Sequence, residues 1–222
     1  MERHASGLIC PPFATVMKER MPERGNYPRG WPAGAVVHYT AGHDGAAKTI
    51  LGGIKNKYTY WCIQRDGTLF CAHNANKWGY HAGTSGWKKK LLGGVSDDLI
   101  GIEINAYGTV KPVKGKPGRF VTYFGKEIGS EEVRYSPGKD NIAKGYYHVY
   151  TEAQEKTLID TILWLKAQAP ERFDLDLVLG HDCVSGPLGI GYFRKVDPGA
   201  ALSCTIPEFQ SLLKKRWAER AK

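Results

Sequence analysis

Three short apolar segments constrain the fold of this chain more than any other feature. They are residues 35–40 (A-V-V-H-Y-T), 99–105 (L-I-G-I-E-I-N) and 177–180 (L-V-L-G). Short apolar runs of this kind are typical of strands that lie buried inside a sheet. Two further strand-like segments, residues 58–63 and 68–72, flank Asp66-Gly67, a dipeptide typical of hairpin turns. The sequence therefore predicts a sheet that contains both buried strands and a hairpin.

Helical segments alternate with these strands. Residues 46–54 have apolar residues at helical spacing, although Gly52 and Gly53 weaken the pattern. Residues 151–154 (T-E-A-Q) form a capping box before an amphipathic segment that ends ahead of Pro170, and a last helix begins near Pro207. This order predicts an α/β fold in which a mixed central sheet is flanked by helices on both faces.

The length and composition indicate one folded domain. The chain has 222 residues, of which 42% are hydrophobic and 24% are charged, as in ordinary globular proteins. We expect an N-terminal arm over residues 1–30 and a single domain over residues 31–222. Residues 108–145, which are rich in Gly, Lys and Pro, should form a long excursion from that domain, with a hairpin around Arg119 to Phe124.

The net charge of +9 predicts attraction to a polyanion, which could be nucleic acid, a membrane surface or an anionic cell wall. No helix-turn-helix or RNA-recognition signature supports nucleic acid as the partner. No apolar run is long enough to span a bilayer, so we expect no stable membrane insertion. The first residues lack an apolar signal core, so we do not expect Sec export.

The five cysteines do not form the spacings of a structural zinc site or a disulfide framework. If Asp66-Gly67 is a two-residue turn, Cys62 and Cys71 lie directly opposite each other in the hairpin. A disulfide between them is one alternative, and two reduced, packed thiols are the other.

Polar residues interrupt or follow the three apolar strands, and together they indicate a catalytic metal site. His38, Glu103 and His181 occupy these positions, where adjacent strands commonly assemble a site. Lys195 and Asp197, two residues apart, should point to the same side of an extended segment.

Two imidazoles and one carboxylate suit Zn²⁺ and leave a position open for water. We therefore expect His38, His181 and Asp197 to bind zinc. Glu103 is the expected general base, and Lys195 is expected to stabilise an oxyanion.

Several motifs occur together in an order that resembles the zinc-dependent N-acetylmuramoyl-L-alanine amidases, a family that includes phage lysins, anhydro-muropeptide amidases and peptidoglycan recognition proteins. The resemblance runs from about Ala35 to Gly199. The motifs are V-V-H-Y-T-A-G, Y-W-C-I-Q-R-D-G-T, W-G-Y-H-A-G-T-S, I-G-I-E-I-N, Y-T-E-A-Q, G-H-D-C and R-K-V-D-P-G.

The resemblance implies a cofactor Zn²⁺ held by His38, His181 and Asp197, and catalytic roles for Glu103 and Lys195. It also implies substrate contacts from His81, and we expect Tyr60 and Trp78 in the same motifs to contact the substrate.

Two segments depart from the family pattern. Between His181 and Asp197, the stretch G-P-L-G-I-G-Y-F appears as an insertion, so His148 is kept as an alternative metal ligand and Cys183 as a residue near the metal. The excursion at 108–145 is expected to form either a wall or lid over the substrate groove or a partner-binding loop.

The expected function is hydrolysis of the amide bond between N-acetylmuramic acid and L-alanine in peptidoglycan, by a monomer of the phage endolysin type. It would be made in the cytoplasm and would act on the cell wall after release or delivery. Three alternatives stay open: a peptidoglycan-binding module without activity, a wall-degrading effector, and a cytosolic muropeptide-recycling amidase. A nucleic-acid binder is a further reading that depends on the charge alone.

Overall fold

The computed structural model describes residues 4–87, 94–185 and 195–220. In chain order the strands are β1 (Thr15–Val16), β2 (Gly25–Asn26), β3 (Gly34–Tyr39), β4 (Trp61–Ile63), β5 (Leu69–Cys71), β6 (Lys77–Trp78), β7 (Leu99–Ile104), β8 (Thr109–Pro112), β9 (Arg119–Val121), β10 (Glu127–Gly129), β11 (Val133–Ser136), β12 (Gly145–His148) and β13 (Val178–Gly180). The α-helices are α1 (Ala46–Asn56), α2 (Glu152–Gln168), α3 (His181–Val184) and α4 (Ile206–Arg220). Short 3₁₀ turns occupy Ser130–Glu132, Leu175–Leu177 and Gly199–Ala201. No helix in the described ranges is long and apolar enough to cross a membrane.

The central sheet has six strands in the order β1-β5-β4-β7-β3-β13. Strands β4, β7, β3 and β13 run parallel to one another, whereas β5 runs antiparallel to β4 through the predicted hairpin. Strand β1 adds a parallel edge beside β5. The prediction of a mixed sheet is confirmed.

Alternation along the central strands separates two buried faces. Ile100, Ile102 and Ile104 enter the main core, where Leu158 and Ile162 of α2 also lie. On the opposite face Cys62 packs with Ile50 of α1. Helices therefore cover both faces of the sheet, as the sequence predicted.

The predicted capping box starts α2. The Thr151 Oγ1 accepts a hydrogen bond from the Gln154 amide at 3.1 Å, and the Thr151 amide donates to Gln154 Oε1 at 3.0 Å. Such a cap stabilises a helix by about 1 kcal/mol. Gln154 Nε2 also donates to the Asn105 carbonyl at 2.9 Å, so the cap ties α2 to the residue that follows β7.

The N-terminal residues 4–30 pack against the domain. Leu8, Ile9 and Tyr27 are buried in the main core. β2 pairs with β6, and β1 extends the central sheet. This segment therefore completes one edge of the sheet.

The 108–145 excursion forms most of a second sheet. This sheet is antiparallel, with the order β10-β9-β8-β12-β11. The hairpin predicted around Arg119 to Phe124 is confirmed, since β9 pairs with β10 and Phe120 is opposite Ile128. We refer to this element below as the second sheet.

The expected pairing of Cys62 with Cys71 is wrong. The Gln64 amide donates to the Thr68 carbonyl at 2.9 Å, which leaves a loop of three residues between this pair and places Cys62 opposite Phe70. A shift of one residue moves a side chain to the other face of a sheet. Cys71 therefore lies in the main core, with its thiol in hydrogen-bond contact with Cys10, and Cys62 packs against α1. All five cysteines are free.

Candidate functional site

The register of three parallel strands brings three predicted site residues together. β3 pairs with β7 so that His38 lies beside Glu103. β13 pairs with β3 so that Gly180 lies beside Val37, and the next residue, His181, begins α3 next to His38. The three side chains therefore lie near the carboxyl ends of neighbouring strands, where parallel sheets place their sites.

Asp197 reaches the same place through contacts with α3. The Asp182 amide donates to the Asp197 carbonyl at 2.7 Å, and the Gly199 amide donates to Asp182 Oδ2 at 3.3 Å. Asp182, which follows His181 directly, thus anchors the backbone on both sides of Pro198. The stretch G-P-L-G-I-G-Y-F that departs from the family pattern lies outside the described residues.

Three side-chain atoms converge at this point. His38 Nδ1 lies 3.0 Å from His181 Nδ1 and 3.2 Å from Asp197 Oδ2, and His181 Nδ1 lies 3.0 Å from Asp197 Oδ2. All three residues are buried. In the described part of the chain they form one group whose geometry could hold a metal ion.

The hydrogen-bond partners assign the proton positions on both imidazoles. His181 Nε2 faces the Ala82 carbonyl at 3.1 Å and must therefore carry the proton, which leaves a lone pair on Nδ1. His81 Nε2 likewise donates to the Leu99 carbonyl at 2.8 Å. The lone pair on His81 Nδ1 then accepts from His38 Nε2 at 3.1 Å, so His38 Nδ1 is also unprotonated.

These assignments make the cluster suited to a cation. Two nitrogen lone pairs and a carboxylate oxygen face one another, and such acceptors repel unless a positive ion lies among them. Tetrahedral bonds of about 2.0 Å to Zn²⁺ would place ligand atoms roughly 3.3 Å apart, close to the observed separations. The residues present therefore fit Zn²⁺.

The pKa values of the ligands favour the same state. Burial, with the neighbouring His181, lowers the pKa of His38 to about 4. Burial opposes ionisation of Asp197, but the two imidazoles that face its carboxylate outweigh it when they carry a proton on Nδ1, and the pKa of Asp197 then lies below its usual range. Near neutral pH His38 is thus uncharged and Asp197 is ionised, as metal ligands must be.

Glu103 lies beside this cluster in a different electrostatic state. Burial, with the nearby charge of Asp197, raises its pKa to about 8, and Lys195 acts in the opposite direction. Its Oε2 is buried without a hydrogen-bond partner among the described residues. A carboxyl group with such a pKa can both take and release a proton near neutral pH.

A cleft of about 610 Å³ opens over these groups. The two metal-site histidines, Asp197, Glu103 and Lys195 line it, and α1 contributes one wall. Lys195 is exposed, so its ammonium can reach into the cleft from solvent. The residues that line the α1 wall and its continuation are Thr49, Gly52, Gly53, Asn56, Tyr58 and Tyr60. None of the described lining residues comes from the 108–145 excursion.

The three residues expected to contact the substrate have different surroundings in the structure. His81 lines the cleft but is also the hydrogen-bond acceptor for His38. Tyr60 lines the cleft while its hydroxyl donates to the Thr49 carbonyl at 2.9 Å. Trp78 is not among the lining residues, and it packs instead on the core beside Tyr80. The structure therefore does not bring Trp78 to the cleft.

The alternative ligand His148 lies elsewhere, on the second sheet. Its ring stacks on Tyr107 with centroids 4.2 Å apart, and its Nδ1 accepts from the Tyr107 amide at 3.0 Å. Cys183 faces Asn141 and lies outside the metal group.

Reasoning from the sequence did not identify Asp182 or the proton-fixing role of His81. The sequence offered only a glycine, Gly101, inside an apolar strand, and the structure gives its reason: a Cβ atom there would lie 2.6 Å from the His81 ring.

Comparisons with known proteins agree with this geometry. No curated protein sequence matches the chain. Solved structures of amidases have a similar fold. The endolysin N-acetylmuramoyl-L-alanine amidase LysCS from Clostridium intestinale URNW has a TM-score of 0.53 at 15% identity, over 91% of this chain and 96% of that one. A selenomethionine derivative of AmpD has a TM-score of 0.51 at 19% identity, over 90% and 94%.

The third is the amidase AmiD from E. coli, in complex with anhydro-N-acetylmuramic acid-L-Ala-D-gamma-Glu-L-Lys. Its TM-score is 0.51 at 18% identity, over 88% of this chain and 62% of that one. At these identities the three structures establish a shared fold. The sequence profile of the N-acetylmuramoyl-L-alanine amidases (Amidase_2) matches residues 28–200, which include every residue of the cleft described above. Because this match covers well over half of the sequence, the chain belongs to the N-acetylmuramoyl-L-alanine amidase family.

Proposed function

We propose that this amidase hydrolyses the bond between the lactyl group of N-acetylmuramic acid and L-alanine, with Zn²⁺ held by His38, His181 and Asp197. The observation that carries the proposal is the convergence of three unprotonated donor atoms beside a carboxyl group of raised pKa. A bound Zn²⁺ supplies a Lewis acid that polarises the amide carbonyl and lowers the pKa of water. The other steps belong to residues of the chain.

Glu103 is the proposed general acid and base. Its pKa of about 8 describes the site without a metal, and a divalent cation close by would lower this value towards neutrality. In that range the carboxylate can accept a proton from the attacking water and return it to the leaving nitrogen of L-alanine. The buried Oε2, which has no hydrogen-bond partner among the described residues, is the atom available for this transfer.

Lys195 is proposed to stabilise the negative charge that develops on the carbonyl oxygen. It lines the same cleft as Glu103 and Asp197. A cation at the cleft mouth would interact more strongly with the oxyanion than with the neutral amide, which is the requirement for a catalytic contribution.

The shape of the cleft supports a muropeptide as the substrate. The wall formed by α1 exposes backbone at Gly52, where a Cβ atom would have no neighbour within 4 Å. Tyr58 and Tyr60 lie along the same wall, and Tyr58 is half exposed. Sugar rings or the stem peptide can therefore lie beside the metal site without displacing a side chain.

For the biological setting, we propose a wall-degrading enzyme of the endolysin type that is made in the cytoplasm and reaches the wall after release or delivery, as a monomer. The net charge of +9 supports attack on an intact anionic wall. A delivered effector and a recycling amidase share the same chemistry. The ratio of activity on sacculi to activity on soluble anhydro-muropeptide distinguishes a recycling amidase from a wall-degrading enzyme. A recycling amidase would favour the soluble substrate.

Mass spectrometry of digested sacculi tests the bond that is cleaved. We expect new free L-alanine amino groups on intact glycan strands, loss of activity on chelation, and recovery with Zn²⁺. Glu103→Gln should be inactive, whereas Glu19→Gln, at an exposed acid, should retain full activity. Cleavage within the glycan or the stem peptide would refute the proposal. Zinc binding without hydrolysis would favour the recognition module instead.

A further inference from the structure

The outer face of the second sheet carries a row of partly exposed aromatic rings. Tyr147 is fully buried in the core, so its neighbour Tyr146 in β12 points to the opposite face. The ring of Tyr146 lies 4.9 Å from that of Phe120 in β9 and 4.9 Å from that of Tyr135 in β11. The row therefore crosses the sheet, over the buried Val110 of β8.

A second group of rings continues this row towards the cleft. Tyr107 stacks on His148, which follows Tyr146 by two residues on the same face of β12. The Tyr107 ring lies 5.5 Å from that of Phe124, which in turn lies 5.1 Å from that of Tyr123. We call the whole set the aromatic belt: Tyr135, Tyr146, Phe120, Tyr107, Phe124 and Tyr123.

The belt is continuous with the rim of the cleft. His43 contacts Phe124 with ring centroids 5.2 Å apart, and it follows the cleft-lining Ala41 by two residues. Gly108, at the start of the second sheet, packs against Tyr39, which also lines the cleft. A chain molecule that leaves the cleft past Ala41 would meet the belt next.

The exposed fractions show that the described chain leaves the rings at the two ends of the belt open, whereas the four rings between them are partly buried. Tyr123 is 76% exposed and Tyr135 is 48% exposed. Aromatic side chains that stay exposed on a rigid scaffold commonly mark a binding surface. The belt is narrow and contains tyrosine hydroxyls, and Lys126 lies over the Tyr107 ring. A narrow chain of alternating polar and apolar surface fits this row better than a broad protein face does.

The charge of the segment matches an anionic polymer. Residues 108–145 contain eight basic and four acidic residues, a net charge of +4 out of +9 for the whole chain. Peptidoglycan combines pyranose rings, whose apolar faces stack on aromatic rings, with carboxylates on its stem peptides. Both properties of the segment, aromatic and basic, have a counterpart in this one polymer.

We propose that the aromatic belt binds the glycan strand of peptidoglycan and holds the amidase on the wall next to the bond that it cleaves. This inference rests on the proposed function, because the cleft supplies the reason for a wall polymer to be present. The belt would then serve as a built-in wall-binding surface on the catalytic domain.

Co-sedimentation with purified sacculi tests the belt separately from catalysis. All proteins carry Glu103→Gln, so the wall is not digested. The first variant is Tyr123→Ala with Tyr135→Ala, at the two most exposed rings. The second is Tyr146→Leu, which keeps apolar volume over Val110 and removes the flat ring. The matched control is Phe13→Ala, an aromatic residue that is 50% exposed outside the belt.

We expect both belt variants to bind sacculi at least about fivefold more weakly than the control, and the difference to persist at high salt, because stacking is not screened. Binding equal to that of Phe13→Ala would overturn the inference. Unchanged sacculus binding with loss of binding to a single-stranded oligonucleotide would also overturn it, in favour of nucleic acid. Circular dichroism checks the fold of each variant. Cleavage of a soluble muropeptide by protein with Glu103 intact tests the proposed function on its own, so failure of the two proposals can be told apart.

Discussion

Glu103→Gln should increase the free energy of unfolding of the metal-free protein. The same substitution should abolish hydrolysis by the zinc-loaded protein. Burial raises the pKa of Glu103 from 4.5 to about 8, so the folded state retains a proton that the unfolded state has released. For an acid with a raised pKa, the folded state is penalised as pH increases, and the free energy of unfolding falls between about pH 4.5 and pH 8. Glutamine is neutral and is not subject to this penalty.

The magnitude follows from the width of that window. Each pH unit between the two pKa values corresponds to about 1.36 kcal/mol. Near pH 5 the penalty is below about 1 kcal/mol, at pH 7 it is about 3 kcal/mol, and above pH 8 it approaches about 5 kcal/mol. The described part of the chain offers the buried Oε2 no hydrogen-bond partner, so an amide there is also left unpaired and adds a cost of about 1 kcal/mol at every pH.

Urea unfolding of the chelated wild type and of chelated Glu103→Gln at a series of pH values measures the difference. The pH dependence is the decisive quantity, since the unpaired amide adds only a constant offset. Glu19→Gln, at an exposed acid, is the matched control and should show no such dependence. A difference between wild type and Glu103→Gln that stays constant from pH 5 to pH 9 would refute the reasoning. Added Zn²⁺ should reduce the difference, because the cation stabilises the carboxylate of the wild type.

Three further changes test other parts of the site. Lys195→Ala should lower kcat by about 10²-fold or more, while metal analysis should still find one Zn²⁺ bound per chain. Loss of the metal would contradict a role of Lys195 confined to stabilising the oxyanion. His81→Phe removes the acceptor for His38 Nε2 and should weaken zinc binding about 10–100-fold in a competition with a chromophoric chelator, whereas unchanged affinity would show that the hydrogen bond has no orienting role. Gly101→Ala should displace the His81 ring, lower the free energy of unfolding by about 1–3 kcal/mol and weaken zinc binding. Gly52→Ala is the matched control for stability, because its added methyl group would meet no described atom within 4 Å beyond its own turn of helix and should stabilise α1 by up to about 1 kcal/mol.

Local patterns in the sequence were sufficient for the fold class and for several elements. Apolar runs predicted β3, β7 and β13, because buried parallel strands need apolar side chains on both faces. The capping box predicted the start of α2, since both of its hydrogen bonds form between residues three apart. The sequence also predicted that Glu103 lies on the other face of β7 from Ile102 and Ile104, because side chains along a strand point to alternate faces.

Other features depended on contacts between distant residues, which no local pattern specifies. The spacing of two residues between Lys195 and Asp197 was visible in the sequence, but the approach of Asp197 to His38 depends on its docking against Asp182. The proton on His38 is assigned only through His81 and the Leu99 carbonyl, which come from separate segments. The pairing of Cys62 was predicted wrongly because the hairpin turn has one more residue than its dipeptide suggested, and one residue reverses the face.

The largest difference between sequence and structure concerns residues 108–145. Their many glycines, prolines and lysines indicated a loop-like excursion, yet they pair into most of a second sheet that lies outside the cleft lining. Its strands are short, and their pairing partners lie in other parts of the segment and in β12, so local periodicity is weak. The sequence by itself determined which residues could bind a metal and carry protons. The tertiary structure alone decided how their lone pairs converge and where the aromatic rings of the excursion are displayed, because both depend on the packing of segments far apart in the chain.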